Sequence, residues 1–247
     1  MSNDEFYIGY LKSAPPGIAR FRLVTSALVI AAALAAVAVV AAFQAKLPAG
    51  RFEFGVTKTF DGVLYESPIP MLRTVDAAGP RNFLLVAQGK FGLPSYARGH
   101  DGREVRMRGS LIDKDGMGMI ELAGPEGFVV LGEPSIAKMR RPNETGGRIA
   151  LTGELADSKC YLGVMRPATG KVHRACAVRC LSGGIPPALL VHTGPDQIVA
   201  VMLAGTGAEP LEYNVEWAAR IVRATGQLEW HEGLPIIRVE SLTLAGD

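Results

Sequence analysis

The 247-residue chain has room for one or two domains, and 26 Lys+Arg against 24 Asp+Glu leave a formal net charge of +2. The basic residues are scattered, with Arg140 and Arg141 the only adjacent pair. A dedicated nucleic-acid binder, which needs a concentrated basic stripe, is therefore excluded as the first reading. No block of like charge reads as an interaction tail.

In chain order, the first element is an uncharged run of 21 residues from Leu23 to Phe43, polar only at Thr25 and Ser26. As a helix it is about 30 Å long, the thickness of a bilayer's hydrocarbon core. Lys12, Arg20 and Arg22 precede it, and Lys46 and Arg51 follow. The bias favours residues 1–22 on the cytoplasmic side, a transmembrane helix over 23–43, and the remainder outside. Two other readings compete. A cleaved signal normally has a shorter apolar region and a shorter lead. A buried core helix would show a polar face, which this run lacks.

After a short linker, strand-like apolar runs separated by glycine dominate, from Phe83–Val86 to Ile236–Val239. Helical patterning beyond the first element is confined to His173–Leu181 and, more weakly, Val215–Val222. The β part reads as one unit used twice. Gly62-x-Leu64 aligns with Gly153-x-Leu155, Leu84-Leu-Val-x-x-Gly89 with Leu189-Leu-Val-x-x-Gly194, and Gly109–Ile120 with Gly226–Ile237. The expected fold is mainly β: two tandem OB-like small barrels, 52–132 and 147–244, joined by a Pro/Gly/charged stretch from Gly132 to Gly147. From the first glycine to the Leu-Leu-Val glycine is 27 residues in one copy and 41 in the other. The 14 extra residues fall where the chemistry is.

That segment, 157–187, contains all three cysteines and one of the four histidines: Cys160, His173, Cys176 and Cys180. Thiolate and imidazole are the side chains best suited to zinc and to borderline or soft metals. On a helix from His173 to Leu181, steps of 100° bring His173, Cys176 and Cys180 onto one narrow face. Cys160 can fold back across a Gly/Pro-containing loop as a fourth ligand. Asp157, Lys159, Arg174 and Arg179 flank the set and can supply outer hydrogen bonds or offset thiolate charge. Zinc is the first metal to expect, with iron, copper or an iron–sulfur cluster as redox alternatives. Two further readings stay open. One is a disulfide from Cys160 to Cys176 or Cys180, or between Cys176 and Cys180, with one thiol left over. The other is a catalytic thiol activated by His173, with backbone donors at Ser182–Gly184.

Gly183-Gly184-Ile-Pro-Pro187 terminates the helix, with glycine at its end and proline just beyond. His100, His192 and His231 stand alone and read as exposed polar residues, and Trp217 and Trp230 as anchors. Asn143-Glu-Thr145 matches a glycosylation sequon.

Asp157, Lys159, Cys160, Tyr161, Gly170, His173, Cys176, Ala177, Cys180 and Gly183 to Pro186 together spell D-x-K-C-Y…G-x-x-H-x-x-C-A-x-x-C-x-x-G-G-I-P. This string resembles a motif of exported, membrane-anchored bacterial proteins and covers about 30 residues of the chain. The resemblance implies a cell-envelope protein whose Cys/His segment acts as a unit. The expectation is a single-pass inner-membrane protein with a periplasmic C-terminal part. It would bind a metal through three cysteines and one histidine as an accessory or electron-transfer subunit of a respiratory or redox complex, without catalytic activity of its own. Its partners would be the membrane and other subunits of that complex, and not nucleic acid. The alternatives are a disulfide-stapled scaffold that binds a partner protein, and a thiol-dependent enzyme.

Overall fold

A computed structural model describes residues 13–46, 50–77, 79–135, 144–194, 197–207 and 209–246. Residues 1–12 of the N-terminal segment, 47–49 of the linker, 136–143 of the joining stretch and the Asn143 of the sequon lie outside them. The chain divides into two units, Met1–Pro48 and Ala49–Asp247.

The first unit contains one helix, α1 (Pro16–Lys46), longer at both ends than the apolar run alone suggested. Within Pro16–Gln44, its most apolar window of 18 residues has a mean hydropathy of 2.7 and is not buried. By length and composition it is able to cross a membrane.

The second unit is built almost wholly of strands. Its first half holds β1 (Arg51–Phe52), β2 (Lys58–Tyr65), β3 (Met71–Asp76), β4 (Gly79–Val86), β5 (Glu104–Lys114), β6 (Met117–Leu122) and β7 (Phe128–Gly132). The ring β2-β3-β4-β6-β5 closes on itself through the β5–β2 and β5–β6 pairings, while β1 and β7 add to β5. The second half holds β8 (Glu144–Asp157), β9 (Pro187–His192), β10 (Ile198–Ala204), β11 (Ile221–His231) and β12 (Leu234–Leu244). These close as β8-β9-β10-β12-β11. The order is the same in both rings, and each has one parallel pair, β4 with β6 and β10 with β12. The expected duplication is present as two five-stranded barrels.

Both rings also share a two-residue hairpin. Asp115-Gly116 has φ of 50° and 84°, and Glu232-Gly233 has φ of 51° and 89°. Two successive positive φ values make a type I′ turn, whose twist matches that of the strands it joins.

One detail of the repeat is corrected. Gly62 and Gly153 sit on equivalent strands, as do Gly109 and Gly226, but the Leu-Leu-Val pair does not. Leu84 lies on β4, the third strand of its ring, and Leu189 on β9, the second. Equivalent connections therefore differ by more than the 14 residues inferred: 66–70 join β2 to β3, whereas 158–186 join β8 to β9. The mismatch arises because both strands are apolar on both faces, so their strings look alike.

The reason lies in the core. Leu85 and Phe83 pack inside the first barrel, while Leu84 and Val86 point out of it. Leu189, Val201 and Leu203 pack inside the second, while Leu190, Met202 and Ala204 point out. The outward sets meet in one apolar layer with Met71, Met119 and Ile236. A strand buried on both faces reads as a continuous apolar run rather than as alternation. At the seam Arg73 of β3 makes a two-pronged pair with Glu232 of the β11–β12 hairpin, 2.9 and 2.6 Å, its side chain 2% exposed. Asn82 donates to the His231 carbonyl beside it, 2.8 Å.

The Val215–Val222 stretch is not a helix: only Val215–Trp217 forms one 3₁₀ turn, and β11 begins at Ile221. His231, expected as exposed, is buried on Glu229 at 2.8 Å.

A candidate metal centre in the second barrel's insertion

The connection from β8 to β9 carries two short helices, α2 (Ser158–Leu162) and α3 (Arg174–Ser182). Cys160 thus stands on a short helix of its own, ahead of the loop that leads to α3. Asp157, the last residue of β8, caps α2: its Oδ1 accepts from the Cys160 N–H at 2.8 Å. Its Oδ2 lies 3.0 Å from Nε2 of His173, the residue immediately before α3. One carboxylate therefore fixes the start of both helices. Asp157 is fully buried and His173 is 4% exposed.

Cys176 and Cys180 are one turn apart on α3 and face Cys160. The sulfur of Cys160 is 3.7 Å from that of Cys176 and 4.0 Å from that of Cys180. All three are unbridged; Cys180 is buried and the other two half-buried. Tetrahedral zinc with 2.3 Å bonds holds its sulfurs about 3.8 Å apart. The two sides of the sulfur triangle that meet at Cys160 have that size.

The donor atoms fall into two triads that share Cys160. One is Cys160, Cys176 and Cys180; the other is Asp157, Cys160 and His173. Within each, donors lie within 4.8 Å of one another. The common helical face expected for His173, Cys176 and Cys180 thus holds only for the cysteines, because the His173 ring turns toward Asp157 where the helix begins.

α3 ends in a Schellman motif. Ile185 N–H bonds the Cys180 carbonyl at 3.1 Å and Gly184 N–H bonds that of Leu181 at 3.0 Å, with Gly184 at φ 88°. The helix-ending role read for Gly183 to Pro187 is what the backbone does. Gly183 has a second duty, since its carbonyl accepts from Gly92 N–H of the first barrel at 2.9 Å.

That contact introduces the residue nothing in the sequence singles out. Lys90, on the β4–β5 connection of the first barrel, places Nζ 2.7 Å from the Cys176 sulfur and 3.5 Å from that of Cys180. Its separation from Cys176 by 86 positions hides it from any local motif. The thiols hold its ammonium more firmly protonated than usual. A hydrogen bond from Cys160, with help from the Lys90 charge, brings Cys180 down to about 7. The same bond, together with burial and the Asp157 charge, pushes Cys160 up. Burial alone would raise Asp157, yet the bonds from His173 and from Cys160 outweigh it and hold the carboxyl below its ordinary range. Asp157 is thus an anion, and His173 donates to it.

The flanking residues divide. Lys159 donates to the carbonyls of Ala87 and Gly89 at 2.9 and 2.7 Å and pairs with Glu121, so it ties α2 to the first barrel. Arg174 pairs with Glu216 at 2.7 Å. Arg179 lends its backbone carbonyl to Gly183 N–H. Glu154, three residues before Asp157, accepts from Gly170 N–H at 2.7 Å and steadies the loop leading to His173. Burial raises its carboxyl. No protein-family model, curated protein or solved structure matches the chain.

Proposed function

We propose that the chain is a membrane-anchored cell-envelope protein with two OB-type barrels, the second carrying a metal centre on Cys160, His173, Cys176 and Cys180. The observation that carries this reading is the sulfur triangle, 3.7 and 4.0 Å on two sides, assembled from two helices that Asp157 sets in place. A histidine that ligates a metal commonly gives its other ring N–H to a carboxylate, which is the arrangement of His173 on Asp157. Lys90 offsets part of the thiolate charge. The strand order 1-2-3-5-4 supports the OB-type assignment.

The role that suits such a site is that of an accessory or electron-transfer subunit of a membrane redox complex, with α1 in the inner membrane and the barrels on the periplasmic side. Zinc would hold the insertion rigid as a docking element; iron or copper would carry an electron.

Elemental analysis of the full-length protein in detergent micelles, purified without added metal and paired with a thiol count, tests the reading. Metal that is present in the wild type and lost in Cys180→Ser supports it. A metal-free protein with two oxidised cysteines and one free thiol would replace it with the stapled scaffold.

A further inference from the structure

We propose that the centre holds two metal ions bridged by the Cys160 sulfur, one bound by Cys160, Cys176 and Cys180 and the other by Asp157, Cys160 and His173. The inference rests on the metal reading above and extends it from one ion to two. It begins from the division of the donors: the five side chains form two triads with Cys160 common to both. A single ion on the three sulfurs reaches His173 only if the ring shifts toward them, because its donor atom groups with those of Asp157 and Cys160 and not with those of Cys176 and Cys180. A second ion needs no such shift.

The separation of that pair fits a shared ion. In a tetrahedral site, oxygen and nitrogen donors about 2.1 Å from one ion stand about 3.4 Å from each other. Asp157 Oδ2 and His173 Nε2 are 3.0 Å apart, so an ion takes the place of the proton between them once the pair opens by about 0.4 Å. The other Asp157 oxygen stays on the Cys160 N–H, and the cap of α2 survives. Thiolate sulfur has lone pairs for two metals, and Cys160 is the thiol both triads reach.

Charge points the same way. Three thiolates and one carboxylate carry four negative charges in a site where Asp157, His173 and Cys180 are all at least 96% buried. Unpaired charge in such a place is costly. One divalent ion offsets two of the four and Lys90 a third. Two divalent ions offset all four, leaving the half-buried Lys90 free to turn outward.

Cobalt(II) titration of the metal-stripped, full-length protein in detergent micelles tests this, because cobalt reports stoichiometry, thiolate ligation and coupling at once. Two cobalt ions per chain are expected. Thiolate-to-cobalt absorption rises with both, and the paramagnetic resonance signal falls as the second ion couples to the first through Cys160. Asp157→Asn, which retains an N-capping side chain, should bind one cobalt without signal loss. Saturation of the wild type at one uncoupled cobalt, matched by Asp157→Asn, overturns the second ion and leaves the metal centre standing. Binding of no cobalt overturns both.

Discussion

Gly183→Ala is the substitution through which the seam between the barrels and the thiol site are tested together. At φ −82° the position accepts alanine without backbone strain, so any cost comes from contact alone. A Cβ there would lie 1.8 Å from the Lys90 carbonyl oxygen, which is backbone and has no flexible end to move aside. The gap must open from 1.8 Å to at least 3.0 Å, the closest approach that real Cβ atoms tolerate. Opening it takes Gly92 N–H away from the Gly183 carbonyl, now at 2.9 Å, and Lys90 Nζ away from Cys176. Overpacking of this kind costs about 1–3 kcal/mol, and a buried backbone pair left unmade about 1–3 more, so a loss of about 2–6 kcal/mol is expected. Urea unfolding of the full-length protein measures it, with Gly207→Ala as the control, since a Cβ there meets nothing closer than 4.0 Å. A Gly183→Ala midpoint indistinguishable from the control, at unchanged denaturant slope, would refute the close approach of the two connections.

Glu232→Gln takes the carboxylate from an Arg73 side chain that is 2% exposed. A loss of about 3 kcal/mol is expected by the same unfolding assay, the lower end for breaking a buried ion pair; a change under about 0.5 kcal/mol would show the pair to be dispensable. In metal-free protein, alkylation of Cys180 should rise through about pH 7 rather than the 9.0 of an ordinary thiol. Lys90→Gln should move that midpoint upward, and mass mapping of the labelled peptide across a pH series checks both statements. Asp157 has a carboxyl held below the ordinary aspartate value of 3.8. A lowered acid stabilises the fold fully above its unfolded value, and that contribution disappears as pH falls through the folded value. The stability gap between wild type and Asp157→Asn should therefore be full and constant above about pH 3.8 and shrink as pH falls below it. A constant gap across that range would remove the charge of Asp157 from the account.

How much was legible in the sequence differs by element. The apolar helix was, because an uncharged run of 21 residues needs no tertiary information to be read. The duplicated β unit was, through the glycines at positions 62 and 153 and the hairpins at 115–116 and 232–233, where backbone geometry restricts the residue. The register between copies was not. Leu84 and Leu189 sit in nearly identical strings on non-equivalent strands, since each strand is apolar on both faces for the same physical reason.

The candidate site shows the same boundary. Residue types alone marked Cys160, His173, Cys176 and Cys180, because thiolate and imidazole chemistry is local to the side chain. Their partition was decided by the tertiary structure: Asp157 caps one helix while holding the ring that begins the next, and so draws His173 away from Cys176 and Cys180. Lys90 belongs wholly to that second class. A lysine in a surface connection of one barrel reaches the sulfurs of the other only because two sheets bury their outer faces together and bring Gly92 against Gly183. Composition and short-range spacing determine which chemistry a chain can hold; the burial of two barrel faces against each other determines which residues, far apart in the chain, share it.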